Sequence, residues 1–214
     1  MKLRTVIVLI STGLAPAVSM ADWSGNVGYV SDYIFRGIFQ EDSSASAGLD
    51  YEADNGLYIG TWAADVGDGL ETDLYFGYSG SSGDFGYSVG YTGYYYTDDW
   101  DDTYSEINLG ISYGGFALDF ASGEWGGFGA PQDYTFTSLS YGFENGISLT
   151  AGSFGDQFDG DYYEIGYGFT WQEIDFSVSL ISSNDLPLTD PNDTGGPADN
   201  ALVFGITKGI SFGD

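Results

Sequence analysis

The sequence contains no cysteine, no histidine and only four basic residues, and these shortages bear on several classes of function. Without histidine there is no Ser-His triad, no histidine zinc site and no histidine proton shuttle. Without cysteine there are no disulfides, which a chain of this size does not need if its backbone network is large. Four basic residues against 32 acidic ones exclude nucleic-acid binding, because phosphates need a basic partner.

Residues 1–21, MKLRTVIVLISTGLAPAVSMA, predict a secretory signal peptide. Lys2 and Arg4 precede a short apolar run that ends in small residues, with Ser19 and Ala21 in an A-x-A-like cleavage pattern. The run is shorter than the roughly 20 apolar residues of a transmembrane helix. Cleavage would leave residues 22–214 as one domain, with two basic residues against 32 acidic ones, a net charge of −30. Such a chain attracts cations.

No segment after the signal peptide offers an apolar run long enough for a transmembrane helix. The acidity alone would fit a disordered chain, but disordered chains are poor in aromatic residues. Here aromatic residues make up 18% of the chain and stand beside 34 glycines. The chain is therefore expected to fold as strands.

Alternation of apolar and polar residues with a period of two recurs from Trp23 to Phe212. In EIDFSVSLI (173–181), every second residue from Ile174 to Leu180 is apolar, while the residues between them are aspartate and serine. The same pattern predicts twelve strands. They cover residues 23–39, 43–53, 57–66, 70–79, 85–97, 103–113, 115–123, 133–144, 147–154, 161–171, 173–183 and 199–212.

The predicted connections are of two kinds. Short turns follow the even-numbered strands; several contain glycine or asparagine, as in DNG (54–56), and one is QE (172–173). Longer acidic loops such as TDDWDD (97–102) and the segment 184–200 follow odd-numbered strands. Short turns at one end, long loops at the other and an even strand count are typical of membrane barrels. We therefore predict an all-β fold, a transmembrane antiparallel up-and-down β-barrel of about 12 strands. The alternative, a soluble β-sandwich, would show no such difference between its ends.

In a bilayer the apolar face of each strand points to lipid and the polar face points to the lumen. The predicted inward face is rich in glycine and serine. These small residues either leave a narrow water-filled lumen or only ease the curvature of the sheet, in which case tyrosines fill the space, namely Tyr75, Tyr94, Tyr96, Tyr104 and Tyr162. Ionisable residues on this face are the candidate pore-lining residues. They are Asp32, Arg36, Asp50, Glu52, Asp73, Glu106, Asp119, Glu164 and Asp175.

Arg36 is a cation in an apolar strand of a very acidic chain. We expect its guanidinium to pair bidentately with a lumen carboxylate. It either creates a transverse field at a constriction or serves only as a structural counter-ion, and the sequence leaves both possibilities open.

Three segments carry a resemblance to a known family: SGNVGYVSDYIFRGIFQ (24–40), GLYIGTWAADV (56–66) followed by ETDLYFGY (71–78), and VFGITKGISF (203–212). Together they resemble the TorF-type porins of proteobacteria over essentially the whole mature chain. The resemblance implies an outer-membrane barrel with a channel role, matches Asp32 and Arg36 as motif positions and supplies no catalytic residues. One departure is that Phe212 is followed by Gly213 and Asp214, whereas such barrels usually end in an aromatic residue read by the barrel-assembly machinery.

The predicted function is an outer-membrane porin-like channel for passive diffusion of small, preferably cationic or neutral solutes. The alternative is a non-conducting structural or surface-interaction barrel whose acidic loops bind divalent cations and lipopolysaccharide. No enzyme activity is expected, because the acidic loops hold no constrained carboxylate pair and histidine is absent. No cofactor and no metal site are predicted; DPNDTG (190–195) is a partial calcium loop without its distal glutamate.

Overall fold

The computed structural model describes residues 22–185 and 199–212. Twelve of its strands close into one antiparallel barrel, in which each strand pairs with its neighbour along the chain and the first pairs with the last. The barrel strands are β1 (Asp22–Val30), β4 (Ala45–Glu52), β5 (Leu57–Asp65), β6 (Leu70–Ser82), β7 (Phe85–Tyr96), β8 (Tyr104–Tyr113), β9 (Phe116–Trp125), β10 (Gln132–Gly142), β11 (Ile147–Asp156), β12 (Asp161–Trp171), β13 (Ile174–Asn184) and β14 (Asp199–Ser211). The predicted all-β, twelve-stranded up-and-down barrel is confirmed.

Two further strands lie outside the barrel wall. They are β2 (Asp32–Phe35) and β3 (Ile38–Asp42), which form a separate two-stranded sheet. One short 3₁₀ turn, Gly127–Gly129, lies in the loop between β9 and β10. Within residues 22–185 and 199–212, no helix is long and apolar enough to cross a membrane.

The bounds of eleven predicted strands agree with the structure to within three residues, but the first prediction is wrong. Residues 23–39 are not one strand, because β1 ends at Val30 and the chain then leaves the wall. Ser31 still donates its backbone N–H to Phe204 of β14, and Val30 donates to Ser44 at the start of the next barrel strand. The wall therefore continues from Val30 to Ser44, and the residues between them form an insertion.

The pairing of β12 with β13 shows how the alternating pattern builds the wall. Tyr167 lies opposite Val178 and Phe169 opposite Phe176 on the outer face, where the two phenylalanine rings stack 5.2 Å apart. The inward positions between them hold two small residues, Gly168 and Ser177. A shift of one residue would exchange the two faces, so the apolar pattern fixes the register.

The outer surface is a broad apolar band. Large apolar side chains such as Leu74, Phe76 and Ile107 are more than half exposed. Exposed aromatic residues lie beside the short turns, among them Trp23, Phe85, Tyr113, Phe116, Phe143, Trp171 and Phe212. A continuous apolar surface of this extent is unfavourable in water, and aromatic rings favour the boundary between lipid and water. The exterior is therefore that of a transmembrane barrel.

Candidate functional site

The lumen hairpin, β2 and β3 with their connection (residues 32–42), lies inside the barrel. Its base is closed by the backbone of Ser43, which donates to the carbonyl of Ser31 over 2.7 Å. Tyr33 and Ile34 are only 5% and 6% exposed. A hairpin with both of these side chains buried lies against other parts of the protein on both faces.

The contacts of Ile34 place the hairpin in the half of the lumen next to the long loops. Ile34 packs in one apolar cluster with Phe136, Tyr162, Ile181 and Val203. These partners lie on the inner face of β10, β12, β13 and β14, near the ends that carry the long loops. The hairpin therefore folds back from that end into the barrel.

The tip of the hairpin is a two-residue turn of Arg36 and Gly37, with φ angles of 53° and 81°. Positive φ at both central residues is characteristic of type I′ turns, which match the twist of a two-stranded hairpin. Glycine accepts this conformation freely, whereas an arginine there costs roughly 1–2 kcal/mol. Arg36 is held in this costly conformation by the contacts of its side chain.

The Arg36 cluster, consisting of Arg36, Glu106, Tyr94, Tyr134 and Asn108, holds the hairpin tip. Both guanidinium nitrogens of Arg36 donate to the Glu106 carboxylate over 2.8 Å, so the predicted bidentate pairing is confirmed. Tyr94 and Tyr134 donate their hydroxyls to the same carboxylate over 2.7 and 2.8 Å, and Asn108 donates over 2.7 Å. Glu106 thus accepts five hydrogen bonds although its side chain is fully buried.

Two aromatic rings complete the surroundings of the guanidinium. Its central carbon lies 4.5 Å from the ring centre of Phe136 and 4.7 Å from that of Phe35. A cation over a desolvated aromatic face gains roughly 2 kcal/mol. Removing one partner of a buried ion pair costs roughly 3–5 kcal/mol, because the other charge stays buried without compensation. The cluster is therefore a strong attachment that depends on a single residue of the hairpin.

A second attachment lies on neighbouring strands of the wall. Tyr33 donates its hydroxyl to Glu71 of β6 over 2.6 Å, and its ring meets Trp62 of β5 edge to face at 5.7 Å. Arg36 meanwhile binds Glu106 on β8. Because β6 and β8 are separated only by β7, these two attachments hold the hairpin to one side of the barrel. The cluster of Ile34 with Tyr162, Ile181 and Val203 on β12, β13 and β14 holds it to the other side, so the hairpin spans the lumen.

The half of the lumen next to the short turns has a different character. Its inward residues are small and half-buried, and they include Gly60, Gly77, Ser88, Gly90, Gly110, Thr150 and Ser177. Three predicted pore-lining carboxylates in the wall are also half-buried. Asp50 accepts a hydrogen bond from Tyr75, Glu164 accepts one from Ser179 over 2.6 Å, and Asp119 lies near Gly110. Glycine and serine leave space that the hairpin fills only in the other half.

The remaining predicted residues occupy different places. Asp73 is fully buried beneath the hairpin, Glu52 lies on the wall near the short turns, and Asp175 accepts a hydrogen bond from Thr170 over 2.5 Å at the same end. Asp32 lies at the base of the hairpin and accepts one from Ser31 over 2.7 Å. Asp32 and Arg36 are therefore not residues of a barrel strand as predicted, because the chain leaves the wall before reaching them.

Sequence reasoning missed three members of the site. Tyr134 and Asn108 lie at inward positions of predicted strands, so the alternation of inward and outward residues along each strand could have identified them. Tyr33 could not be found in this way, because its position depends on the lumen hairpin, and the sequence pattern did not predict that hairpin. Tyr94 was anticipated only as a residue that fills space.

The acidic loop between β7 and β8 folds against its neighbours. Asp101 accepts hydrogen bonds from the indole of Trp125 over 2.9 Å and from the hydroxyl of Tyr104 over 2.8 Å. Burial nevertheless raises the pKa of Asp101 above its ordinary value. Asp102 accepts a hydrogen bond from the backbone of Phe128. These two carboxylates hold the loops together instead of standing free in water.

In the part of the chain that the structure describes, no group of three or more acidic side chains is arranged to hold a metal ion. The partial calcium loop at 190–195 lies outside the described residues. So do the predicted signal peptide at 1–21 and the two final residues, Gly213 and Asp214.

Solved structures with the same fold include membrane barrels of very different sequence. One, from a study of the in-meso crystallization of membrane proteins, has a TM-score of 0.64 at 10% identity and covers 89% of this chain and 84% of its own. A KdgM porin has a TM-score of 0.57 at 8% identity, covering 89% of this chain and 99% of its own. The KdgM porin in complex with disordered oligogalacturonate has a TM-score of 0.54 at 6% identity, with the same coverage. At these identities the likeness concerns the fold alone.

No curated protein matches this chain in sequence. One family model matches residues 15–189, which is most of the chain and includes the lumen hairpin. The TorF name that the sequence motifs suggested stays a prediction. The chain belongs to the Gcw_chp family, described as bacterial proteins of unknown function.

Proposed function

We propose that the protein is a porin-like channel of the outer membrane, through which small solutes diffuse passively and in which the lumen hairpin forms the constriction. The observation that carries the proposal is the division of the lumen into two unlike halves. One half is lined by small, half-buried residues, and the other is crossed by a hairpin attached at Arg36 and Tyr33. A wide entrance followed by a narrow, polar constriction is the arrangement of a selective channel.

The preferred solutes in this proposal are cationic or neutral. Asp50, Asp119 and Glu164 line the wider half. The part of the chain that the structure describes contains two basic residues, Arg36 and Lys208. Arg36 is neutralised by Glu106, and Lys208 pairs with Glu173 at an exposed turn over 2.9 Å. The remaining potential in the lumen is negative and concentrates cations. Oligogalacturonate, named with one KdgM porin, is a polyanion, and an acid-lined lumen would repel it.

A second candidate function is a barrel that does not conduct. It is favoured by the contacts of the hairpin with both sides of the barrel. Tyr33 and Arg36 hold it to β5, β6 and β8, and Ile34 packs against β12, β13 and β14 on the other side. In that case Arg36 is a structural counter-ion, and the acidic loops serve contacts at the cell surface.

The two functions are separated by recording single channels from the refolded protein in a planar bilayer under a salt gradient. The channel predicts stable steps with a cation-selective reversal potential. Silence from protein whose gel mobility shows a folded barrel would favour the non-conducting barrel. Anion selectivity would refute the proposed solute preference.

The proposed location agrees with the predicted export of the chain through a cleaved signal peptide at 1–21. Outer-membrane lipids and lipopolysaccharide would surround the apolar band, and the barrel-assembly machinery would insert it. Membership of the TorF-type porins fits the same proposal. The expectation that the chain is not an enzyme remains a prediction.

A further inference from the structure

Tyr75 lies flat against the wall in the wider half of the lumen. Its side chain starts on β6, crosses Gly60 of β5 and donates its hydroxyl to Asp50 of β4. A Cβ atom added at Gly60 would lie closer than 3.0 Å to the tyrosine ring and to the Asp50 carboxylate. Ordinary contacts between carbon atoms are roughly 3.5–4.0 Å long. The ring can therefore lie against the wall only because residue 60 has no side chain.

Tyr58 repeats this arrangement in the opposite direction. Its side chain starts on β5, and its hydroxyl lies over Gly77 of β6 and Gly90 of β7. A Cβ atom at either glycine would lie closer than 3.0 Å to the hydroxyl oxygen. At Gly77 the added atom would also meet the backbone of β7, whereas at Gly90 the next atom lies 3.1 Å away. Gly90 therefore makes room for Tyr58 as Gly60 does for Tyr75.

Both rings lie between the wall and the lumen. Tyr58 and Tyr75 are inward positions, because their sequence neighbours Ile59 and Leu74 are more than half exposed on the outer face. Each tyrosine is itself partly exposed, and that exposed surface faces the lumen. The backbone of the wall lies behind the rings, so a displaced ring moves towards the lumen. The position of these two rings therefore sets how much of the wider half is open.

We propose that Tyr58 and Tyr75 determine the width of this half of the lumen, and that Gly60 and Gly90 position the two rings against the wall. This inference rests on the proposed channel function. The hairpin and the wider half lie in series along the path of a solute, so narrowing either of them lowers the conductance. A ring turned inward would form a second constriction, separate from the hairpin.

A role of these glycines in sheet curvature alone predicts a different result. Alanine at residue 60 would then act on the backbone, whether or not a tyrosine lies over it. In the proposed arrangement the effect of Gly60→Ala acts through the ring of Tyr75 and disappears when the ring is removed. A double-mutant cycle distinguishes these two cases.

The test is the single-channel conductance of the refolded protein and its variants in a planar bilayer. Gly60→Ala should lower the conductance, and Gly60→Ala combined with Tyr75→Ala should restore it to at least the wild-type value. Gly90→Ala and its combination with Tyr58→Ala should behave in the same way. Gly209→Ala is the matched control, because Gly209 faces the lumen from β14 and an added Cβ would meet no described atom within 4 Å beyond its own neighbours in the chain. It should leave the conductance unchanged.

The melting temperature of the detergent-solubilised protein is a second readout, which requires no current. Gly60→Ala overpacks a filled position and should lower the melting temperature by about 2–12 °C. In the Tyr75→Ala background the same substitution should lower it by much less. Gly209→Ala should not lower it. If Gly60→Ala does not fold, the pair of Gly90 and Tyr58 provides the same comparison.

An equal effect of Gly60→Ala with and without the Tyr75 ring would overturn the proposal. So would wild-type conductance of Gly60→Ala and Gly90→Ala in a protein that conducts. A conducting protein without this coupling would refute the present inference alone. A protein whose melting temperatures show the coupling, but which never conducts, would refute the proposed channel and with it the role of the rings in transport.

Discussion

Replacing Arg36 with methionine should release the hairpin while the barrel stays folded. Methionine keeps an unbranched apolar stem against Phe35 and Phe136, so the change removes the charge and its two hydrogen bonds to Glu106. Leaving one partner of a buried ion pair unpaired costs roughly 3–5 kcal/mol. The hairpin can avoid this cost by leaving the lumen, which lets water reach Glu106. The docking equilibrium should therefore shift roughly 150- to 5,000-fold towards the released hairpin.

The absence of cysteine from the chain provides a direct assay. Ile34→Cys introduces a single thiol at a position that is 6% exposed in the docked hairpin. Its rate of reaction with a membrane-impermeant maleimide reports how often the hairpin leaves the lumen. In the Arg36→Met background this labelling rate should rise by up to roughly 150- to 5,000-fold. Gel mobility should still show a folded barrel.

Two variants control this experiment. Arg36→Lys keeps the charge but loses the bidentate geometry, so its labelling rate should fall between those of the wild type and Arg36→Met. Lys208→Met removes the ion pair with Glu173, which lies at an exposed turn, and should leave the rate unchanged. If the rate in Arg36→Met equals that of the wild type, the Arg36 cluster does not hold the hairpin and the reasoning is refuted.

Three further predictions concern the turns and loops. Gly37→Ala places a side chain at φ 81°, which costs the docked hairpin about 1–2 kcal/mol. Labelling of Ile34→Cys should therefore become about 5- to 30-fold faster, and an unchanged rate would contradict the turn geometry. Lys208 lowers the pKa of Glu173 by a hydrogen bond, so the small stabilisation that this pair gives is present above the ordinary glutamate pKa and is lost as the pH falls through the lowered pKa. The melting temperature of the wild type should therefore show a small extra decrease in this acid range, and that of Lys208→Met should lack it. Burial raises the pKa of Asp101, so the stabilising contribution of its carboxyl is present at low pH and is lost as the pH rises through the raised pKa. The difference in melting temperature between the wild type and Asp101→Asn should therefore shift in favour of the wild type from pH 7 to pH 4. A shift in the opposite direction would refute the assignment.

Local sequence patterns were sufficient to predict the barrel wall. Strands such as β13 alternate because one face meets lipid and the other the lumen, and this requirement acts on each residue separately. Ile174 and Leu180 could therefore be assigned to the outer face without knowing which strands they touch. The turn of Gln172 and Glu173 between β12 and β13 was found from strand spacing, although both residues have positive φ and neither is glycine.

The hairpin could not be predicted in the same way. The apolar residues of DYIF continue the pattern of β1, so alternation gives no sign that the chain leaves the wall at Ser31. Arg36 and Gly37 form the turn, but Arg-Gly is not a common type I′ pair. The hairpin is fixed by contacts with strands far along the chain, above all with Glu106, seventy residues away. A pairing over that distance has no local signature.

The candidate site was therefore predicted in part. The alternation of residues along the strands correctly placed Glu106 and Asp73 at inward-facing positions. The shortage of basic residues correctly suggested that a carboxylate binds Arg36 bidentately. Parity could not tell which carboxylates the hairpin covers. Burial of Asp73 follows from Tyr33 and Phe35 above it, and these residues had been assigned to a barrel strand.

The most direct test of the account is the conductance of a barrel without the hairpin. Ser31 and Ser43 are already joined by a backbone hydrogen bond, so residues 32–42 can be replaced by Asn-Gly to close the wall with a tight turn. Single-channel recordings of this variant and of the wild type in a planar bilayer should show cation-selective steps in both, larger in the variant. Equal conductance in the two folded proteins would contradict a constriction at the hairpin, and silence in both would contradict the channel itself.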